Sequence, residues 1–377
     1  MAYDAYEFWL TDDKGRRISD ESGTSLITRI TWLEATRTCN DYGALGIGLP
    51  VDFDISLLRR DRMIQVWRAP QGGSLSLFRP YLIRRWRYEF QGDEEKLSVF
   101  GVDPNELMRR RIVANYADLA QTQKTDYADD MMKEIVTEQF VADVWGPDAG
   151  DRDLSPTYFS VQGDLAAGPI LTKGFSWRRV MNVLQDLQKA SREAGTEVFW
   201  DVVVNNVTSS TITFQFRTKT GQPGQNLSDY GVLFSLEKGN LRSPFYDFDA
   251  TEEENYIFAG GQGTETDRAT DEVYDAARYN ASQWNRCEGF ADARNQTTAN
   301  GIRESARTVL EVGRPRERFG AHLLDVEGMR FGMDWNWGDK VKASYRSKEF
   351  DAIVWTVQLS LNQDGYETIT ARLDYGD

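Results

Sequence analysis

Two β-rich stretches, one near each end of the chain, constrain the fold more than any other feature of the sequence. In each, short runs of alternating apolar and polar residues are separated by turn residues, which is typical of antiparallel meanders. The first stretch runs from Ile27 to Val113 and the second from Trp335 to Leu373. We therefore predict a compact β-barrel near each end. The predicted strands cover 26–33, 45–50, 63–67, 82–90 and 96–103 in the first stretch, and 335–341, 352–357 and 367–373 in the second.

The segment between the two stretches combines helical and strand patterns. A helix is predicted after Ser176 as N-cap and before Gly195, because apolar residues recur at i, i+3, i+4 and i+7. The apolar positions are Val180, Val183, Leu184 and Leu187. A strand at 197–204 and a hairpin partner at 211–217 follow, with Asn205 and Asn206 as the turn. A helix followed by two strands predicts a small α+β domain.

Shorter signals predict further elements. We predict that Asp103 caps a helical turn whose first residue is Pro104. We also predict that Thr125 or Asp126 caps a helix that runs through 131–136. Residues 146–175 resemble an irregular loop. A helix is predicted over Ala299–Val312, with Ile302, Ala306, Val309 and Leu310 as its apolar stripe.

The length of 377 residues predicts several domains rather than a single core. We predict an α+β, mostly β fold of two tube-like β-barrel domains with an α+β insert. The predicted segments are 1–115 (N-terminal arm and first barrel), 116–220 (insert), 221–330 (second β-rich domain with a helix) and 331–377 (closing meander).

The charge is unevenly distributed. Residues 1–115 contain 17 acidic and 17 basic side chains, so residues 116–377 carry the whole net charge of −15. An acidic surface does not bind phosphate backbones. Its role is either to keep the protein soluble or to line a channel along which nucleic acid passes without binding.

Residues able to perform chemistry are sparse. His322 is the only histidine, the two cysteines Cys39 and Cys287 lie far apart, and Gly260–Gly263 lacks the Gly-Lys-Ser/Thr ending of a nucleotide-binding loop. The three consecutive arginines at 109–111 cannot share one helix face and have acidic surroundings, which favours solvated charge or salt bridging over a nucleic-acid patch. We predict no catalytic residue, no metal site and no cofactor, and leave the binding residues unassigned.

Two alternatives remain open at this point. Acidic pairs such as Asp247 with Asp249 could serve a hydrolase, although 59 acidic residues make such pairs common by chance. The 11 tryptophans could include exposed platforms for sugars, although packing within the barrels is the simpler explanation.

The sequence predicts a protein that does not insert into membranes. Uncharged apolar runs of about 18 residues, which a membrane helix needs, are absent, and the acidic N-terminus at 1–7 lacks a signal-peptide pattern. We therefore expect the chain to be made in a cytosol.

Several segments, in this order, resemble the hub or minor tail protein family of long-tailed bacteriophages. The matching segments are 46–50, 101–103, 239–241, 255–263, Arg268, 286–294, 335–341 and 364–367. The resemblance implies a structural virion protein without enzymatic activity, located at the distal tail and assembled in the host cytoplasm. It implies a baseplate-hub-like homotrimer that joins a sixfold tail tube to a threefold tip.

The same resemblance implies the partners. These are a distal tail or tail-tube protein, tail-tip or fibre proteins, and viral DNA that passes through the lumen without specific binding. Relatives often carry a C-terminal lysin or carbohydrate-binding extension, whereas Asp377 follows the last predicted strand directly. We therefore expect wall cleavage or receptor binding to belong to other tail proteins.

Overall fold

The computed structural model describes residues 6–19, 26–70, 72–114, 122–142, 152–175, 177–263, 267–296 and 298–375. The chain forms two compact units. The first comprises residues 1–244 and 321–374, and the second comprises residues 245–320 and 375–377. The division into four segments predicted from the sequence stays a prediction.

Strands dominate the described part of the chain. They are β1 (Tyr6–Thr11), β2 (Trp32–Thr38), β3 (Ala44–Leu49), β4 (Met63–Arg68), β5 (Ser76–Gln91), β6 (Glu94–Val102), β7 (Thr122–Tyr127), β8 (Phe159–Val161), β9 (Ile170–Phe175), β10 (Val198–Val207), β11 (Ile212–Thr220), β12 (Leu233–Ser235), β13 (Leu241–Asp249), β14 (Tyr256–Gly260), β15 (Thr270–Tyr274), β16 (Glu288–Asp292), β17 (Arg316–Leu324), β18 (Lys340–Tyr345), β19 (Lys348–Leu361) and β20 (Glu367–Tyr375). The helices are α1 (Leu107–Arg110), α2 (Ala128–Phe140), α3 (Val180–Glu193), α4 (Ala276–Tyr279) and α5 (Ala299–Val312).

Strands from both ends of the chain belong to a single twelve-stranded sheet. Its order is β1-β4-β5-β6-β3-β2-β19-β20-β17-β13, and β18 pairs with both β12 and β19. The junction is the antiparallel pair of β2 and β19, in which Leu33 lies opposite Leu361 and Thr38 opposite Thr356. The mostly β, α+β class is therefore confirmed.

The prediction of two separate barrels is wrong in one respect, because the described strands of this sheet do not close into barrels. The physical reason lies in β2 and β19, which alternate buried and more exposed side chains in matching register. Leu33 and Ala35 of β2 lie opposite Leu361 and Leu359 of β19, and all four side chains are buried. Strands β2 and β19 pair because they share this buried face, although more than 300 residues separate them in the sequence. Turn residues near either strand cannot predict such a long-range pairing.

Within the first unit, helices α2 and α3 form a layer on a three-stranded sheet of order β10-β11-β8. The predicted stripe of α3 is buried against this sheet, together with apolar side chains of α2. Gly195 follows the C-cap of α3 with a left-handed φ of 89°, as predicted. The predicted N-cap Ser176 lies outside the described residues, and the residue before the helix is Arg179, whose side chain makes no capping bond.

Four local predictions are corrected. The supposed loop 146–175 contains β8 and β9, and its part at 143–151 lies outside the described residues. Thr125 and Asp126 belong to β7 rather than capping α2. Asn205 and Asn206 lie within β10 at a bulge, so the hairpin turn falls later, at 208–211. Most of the predicted strand 26–33 precedes β2, which begins at Trp32.

The second unit contains a two-layer arrangement of sheet and helix. Strand β14 pairs with β15 antiparallel and with β16 parallel. Helix α5 has the predicted bounds and caps its N-terminus with the Thr298 hydroxyl, which accepts from the Gly301 N–H. Ile302, Ala306 and Leu310 of α5 pack on Ile257 and Ala259 of β14. One face of this sheet is therefore covered by the helix.

Candidate functional site: a buried ion-pair cluster, an adjoining cavity and an aromatic sheet face

The residues weighed for chemistry are scattered. His322 is exposed on β17, Cys39 is buried and Cys287 is half-buried, and both cysteines are free thiols. Within the described ranges, histidine, cysteine, aspartate and glutamate side chains form no group that could hold a metal ion. None of the helices described there is long and apolar enough to cross a membrane.

The glycines at 260–263 serve close packing. A Cβ atom added to Gly260 would lie 2.5 Å from the Arg268 guanidinium, and one added to Gly261 would lie 2.3 Å from the Ile302 side chain. Arg268 donates to the carbonyl oxygens of Gly260 and Gly261, at 3.0 and 3.2 Å. The segment thus turns at the end of β14 around an arginine, which agrees with the turn predicted from the sequence.

The three arginines at 109–111 bond within the protein. Arg109 and Arg110 pair with Glu106, and Arg110 also pairs with Asp61. Arg111 donates to backbone carbonyl oxygens and lies 4.4 Å from the Phe140 ring centre. The predicted salt bridging is confirmed.

A buried ion-pair cluster connects strand β10 to the twelve-stranded sheet. Arg79 of β5 donates to Asp103, with Nε 3.1 Å from Oδ2, and to Asp201 of β10, with Nη2 2.5 Å from Oδ1. Arg37 of β2 reaches the other oxygen of Asp201, with Nη2 2.7 Å from Oδ2. Arg79 and Asp103 are almost fully buried. Removing one partner of such a cluster would leave an uncompensated buried charge.

The two carboxyl groups of the cluster differ in their electrostatics. Burial opposes the ionisation of Asp201, but the attraction of Arg79 and Arg37 outweighs it and holds the pKa of that carboxyl below its ordinary value. Asp103 pairs with one arginine, Arg79, and accepts from the Asn105 N–H at 3.1 Å. It also faces the Asp201 charge. Burial and that repulsion raise the pKa of Asp103 to about 6 against the attraction of Arg79. Asp201 is therefore the firmly ionised member.

Side chains also satisfy the free edge of β10. The backbone N–H groups of Val198, Trp200 and Val202 donate to Ser191 Oγ at 3.0 Å, Asn40 Oδ1 at 2.9 Å and Asn105 Oδ1 at 2.7 Å. These donors follow the two-residue period of a strand, so they all point toward the same edge. Without these acceptors, the N–H groups at this strand edge would have no hydrogen-bond partner, which is costly for buried backbone groups. The side chains therefore replace a missing neighbouring strand.

Arg37 also stacks on a tryptophan. Its guanidinium lies 3.7 Å from the ring centre of Trp337. The turn carrying Trp337 is fixed by Asp339, which accepts from the Asn336 and Gln225 N–H groups, each at 2.7 Å. This turn, with Gly338 at a φ of 80°, replaces the strand predicted over 335–341, of which only Lys340 and Val341 belong to β18.

Two cavities adjoin this stack. One, of about 250 Å³, is lined by Arg37 and Trp337 together with residues of β10 and β11. The other, of about 240 Å³, is lined by the same two residues together with Arg68, Phe78 and Phe331. Arg68 is committed elsewhere, because it pairs with Glu367 through two contacts of 2.6 and 3.0 Å and donates to the Phe331 carbonyl.

The second unit presents an aromatic sheet face opposite α5. Tyr256, Phe258, Tyr274 and Phe290 occupy alternate positions whose neighbours point toward the helix. Phe258, Tyr274 and Phe290 are exposed, by 38%, 51% and 57%. The rings of Tyr256 and Tyr274 are stacked, with centres 5.1 Å apart. Exposed aromatic patches of this kind mark interaction sites.

Guanidinium groups border the aromatic face. Arg286 lies 4.2 Å from the ring centre of Tyr256, and Arg268 lies 5.3 Å from that of Phe290. Asp292 pairs with Arg268 at 3.1 Å. The face therefore offers flat apolar rings beside groups that both donate and accept hydrogen bonds.

Sequence reasoning did not identify the cluster, the capped strand edge or the aromatic face. One signal was present. Asp201 interrupts the apolar run 198–204, and Arg79 stands between Phe78 and Pro80. A charged residue inside an otherwise apolar strand indicates a buried partner, although the partner's identity depends on long-range packing.

Solved structures of two tail proteins and of one PdpA-VgrG complex share this fold. The 43 kDa tail protein of prophage MuSo2 from Shewanella oneidensis matches with a TM-score of 0.56 at 9% identity, over 98% of this chain and 98% of that one. The tail protein from Neisseria meningitidis MC58 matches with a TM-score of 0.53 at 10% identity, over 98% and 97%. A chain of the lidded Francisella PdpA-VgrG complex matches with a TM-score of 0.50 at 9% identity, over 99% and 52%. At these identities the matches establish a common fold.

Curated protein sequences give no significant match to the chain. A family model described as Siphovirus ReqiPepy6 Gp37-like protein matches residues 25–373, which is nearly the whole chain. The resemblance to siphophage tail proteins predicted from the sequence is thereby confirmed. The chain belongs to the Siphovirus ReqiPepy6 Gp37-like protein family.

Proposed function

We propose that this chain is a structural protein of a siphovirus tail and acts as a baseplate-hub-like component at its distal end. The observation that carries the proposal is the fold, shared over nearly the full length with two phage tail proteins. Membership of a siphovirus family supports the same assignment. The role is geometric and non-enzymatic, and it requires no cofactor.

The proposed assembly is a homotrimer. It contacts a distal tail or tail-tube protein on one side and tail-tip or fibre proteins on the other, and it joins sixfold to threefold symmetry. Viral DNA passes through its lumen without specific binding, which the net charge of −15 favours because an acidic wall repels phosphate. The chain is assembled in the host cytoplasm, does not insert into membranes, and resides in the distal tail of the virion. The four-segment organisation, with boundaries near 115, 220 and 330, is part of this proposal.

Light scattering coupled to size-exclusion chromatography tests the assembly. We expect a mass of three times 43.1 kDa for the chain alone, or a complex that contains three copies of the chain after addition of the tail-tube protein. Electron micrographs should show threefold rings. A monomer at every concentration that forms no ring with the tail-tube protein would contradict the proposal.

The aromatic face favours a second candidate function, which is binding of carbohydrate on the host surface. Exposed rings stack on the apolar faces of sugars, and paired arginine and aspartate side chains can bond their hydroxyl groups. Soluble cell-wall oligosaccharides should then retard the protein in affinity electrophoresis. Phe290→Ala should abolish the retardation and Phe248→Ala, an exposed aromatic residue outside this face, should preserve it. Equal mobility with and without sugar would remove this candidate.

A further inference from the structure

The cavity beside β10 and β11 has a defined set of walls. In the pairing of these strands, Phe199 lies opposite Lys219 and Asp201 lies opposite Arg217. These residues share one face of the insert sheet, because the alternate residues Trp200 and Val202 pack into the helical core. Arg37 and Trp337 line the other side of the cavity of about 250 Å³.

The charge of this cavity is positive, although the chain as a whole is acidic. Arg37, Arg217 and Lys219 line it, and Asp201 is the one acidic residue among its described lining residues. Asp201 balances the charge of Arg37, and Arg79 pairs with Asp103 as well as Asp201, so the surplus positive charge of the cavity comes from Arg217 and Lys219. The local surplus of positive charge therefore contrasts with the net charge of −15.

The cationic groups lining the cavity retain unused hydrogen-bond donors. Arg217 donates to the neutral amide oxygens of Gln215 and Asn205 rather than to a carboxylate. The Arg37 Nε atom is buried without a hydrogen-bond partner. Lys219 is exposed, and no hydrogen bond or ion pair to it is found in the described part of the chain. Arg217 and Lys219 are two residues apart on one strand, so their Cα atoms lie about 7 Å apart.

We propose that this cavity binds a small multivalent oxyanion of the phosphate class. Arg217 and Lys219 provide charge-assisted hydrogen bonds at its mouth. Arg37, whose charge Asp201 balances, lines its inner wall. Phe199 and Trp337 form apolar walls that reduce competition from water. All residues that line the cavity belong to the first unit of one chain, so phosphate binding can be measured on the chain alone.

Isothermal titration with inorganic phosphate tests the site, using sodium chloride at matched ionic strength as the reference. We expect saturable binding of about one phosphate per chain and a rise in Tm that chloride does not reproduce. Lys219→Gln and Arg217→Gln should each weaken binding by about tenfold, which corresponds to one charged hydrogen bond. Both positions are exposed, so the variants should fold, and circular dichroism verifies this.

Two control variants make the result specific. Lys219→Arg keeps the charge and should keep most of the affinity. Lys189→Gln removes an exposed lysine of α3 that lies 3.9 Å from Glu193, and it should leave binding unchanged. Absence of phosphate binding beyond the chloride effect would overturn the proposal. Binding that is unchanged in both Lys219→Gln and Arg217→Gln would also overturn it, because the ion would then occupy another surface.

Discussion

At the scale of single residues, Asp103 and Asp201 compete for one arginine. Asp201 receives bonds from both Arg79 and Arg37, whereas Asp103 receives only one of these arginines and lies near a second negative charge. Burial, together with repulsion from the Asp201 charge, outweighs the attraction of the single arginine and raises the pKa of Asp103 to about 6 from 3.8 in the folded state.

This asymmetry predicts a pH dependence that Asp103→Asn removes. Between about pH 4 and pH 6 the folded chain holds a proton on Asp103 that the unfolded chain has lost, so raising the pH favours unfolding. Relative to Asp103→Asn, the wild type should lose about 2 kcal/mol of unfolding free energy across this window. Urea denaturation of both proteins at intervals from pH 4 to pH 7 measures the difference. Parallel stability curves would show that Asp103 ionises equally in both states.

Asn105 is expected to be the most sensitive residue at the capped edge of β10. It is fully buried, accepts from the Val202 N–H at 2.7 Å and donates to the Asp41 carbonyl at 2.8 Å. Asn105→Ala leaves these groups without partners and should cost about 3 kcal/mol of unfolding free energy. Asn205→Ala, at an exposed position of the same strand, should cost less than about 1 kcal/mol in the same denaturation assay. Equal costs would contradict the capping argument.

At the scale of elements, the β2–β3 hairpin depends on Gly43. A Cβ atom there would lie 2.0 Å from the carbonyl oxygen of Thr36, across the hairpin. The obstruction is backbone, so it cannot rotate away, and Gly43→Ala should destabilise the chain by about 2–4 kcal/mol. Gly163→Ala serves as the control, since its Cβ would meet open space in an exposed segment. A Tm unchanged by Gly43→Ala would show that the hairpin adapts.

The elements also show what the sequence can predict. Helices α3 and α5 and strands β3 to β6 follow from local periodicity, because each buries one face against its own surroundings. Strands β8 and β9 were not predicted. Strand β8 has only three residues, and β9 mixes apolar and polar residues, so neither gives a clear two-residue period. The turn at Trp337 also escaped prediction, because its apolar residues pack around an arginine from β2 rather than alternate along a strand. The arginine partners of Asp201 could not be predicted either, because Arg37 and Arg79 are each more than 100 residues from Asp201 in the sequence.

At the scale of the whole molecule, the two ends of the chain stabilise each other. The β2–β19 pair joins their strands, and a partly buried ion pair joins β4 to β20. Arg68 is 6% exposed and its partner Glu367 28% exposed, although 299 residues separate them. Strands near the N-terminus should therefore lose their structure together with strands near the C-terminus.

Glu367→Ala tests this dependence. The substitution leaves Arg68 buried without its counter-charge and should lower the unfolding free energy by about 3 kcal/mol. Glu349→Ala is the matched control, because Glu349 is 61% exposed and pairs with Lys342 at 3.3 Å, so its loss should cost less than about 1 kcal/mol. Hydrogen exchange should show faster opening in β1 and β4 as well as in β20 of the Glu367→Ala protein. Faster exchange confined to β20 would mean that the front strands are stable by themselves, as separate barrels would be.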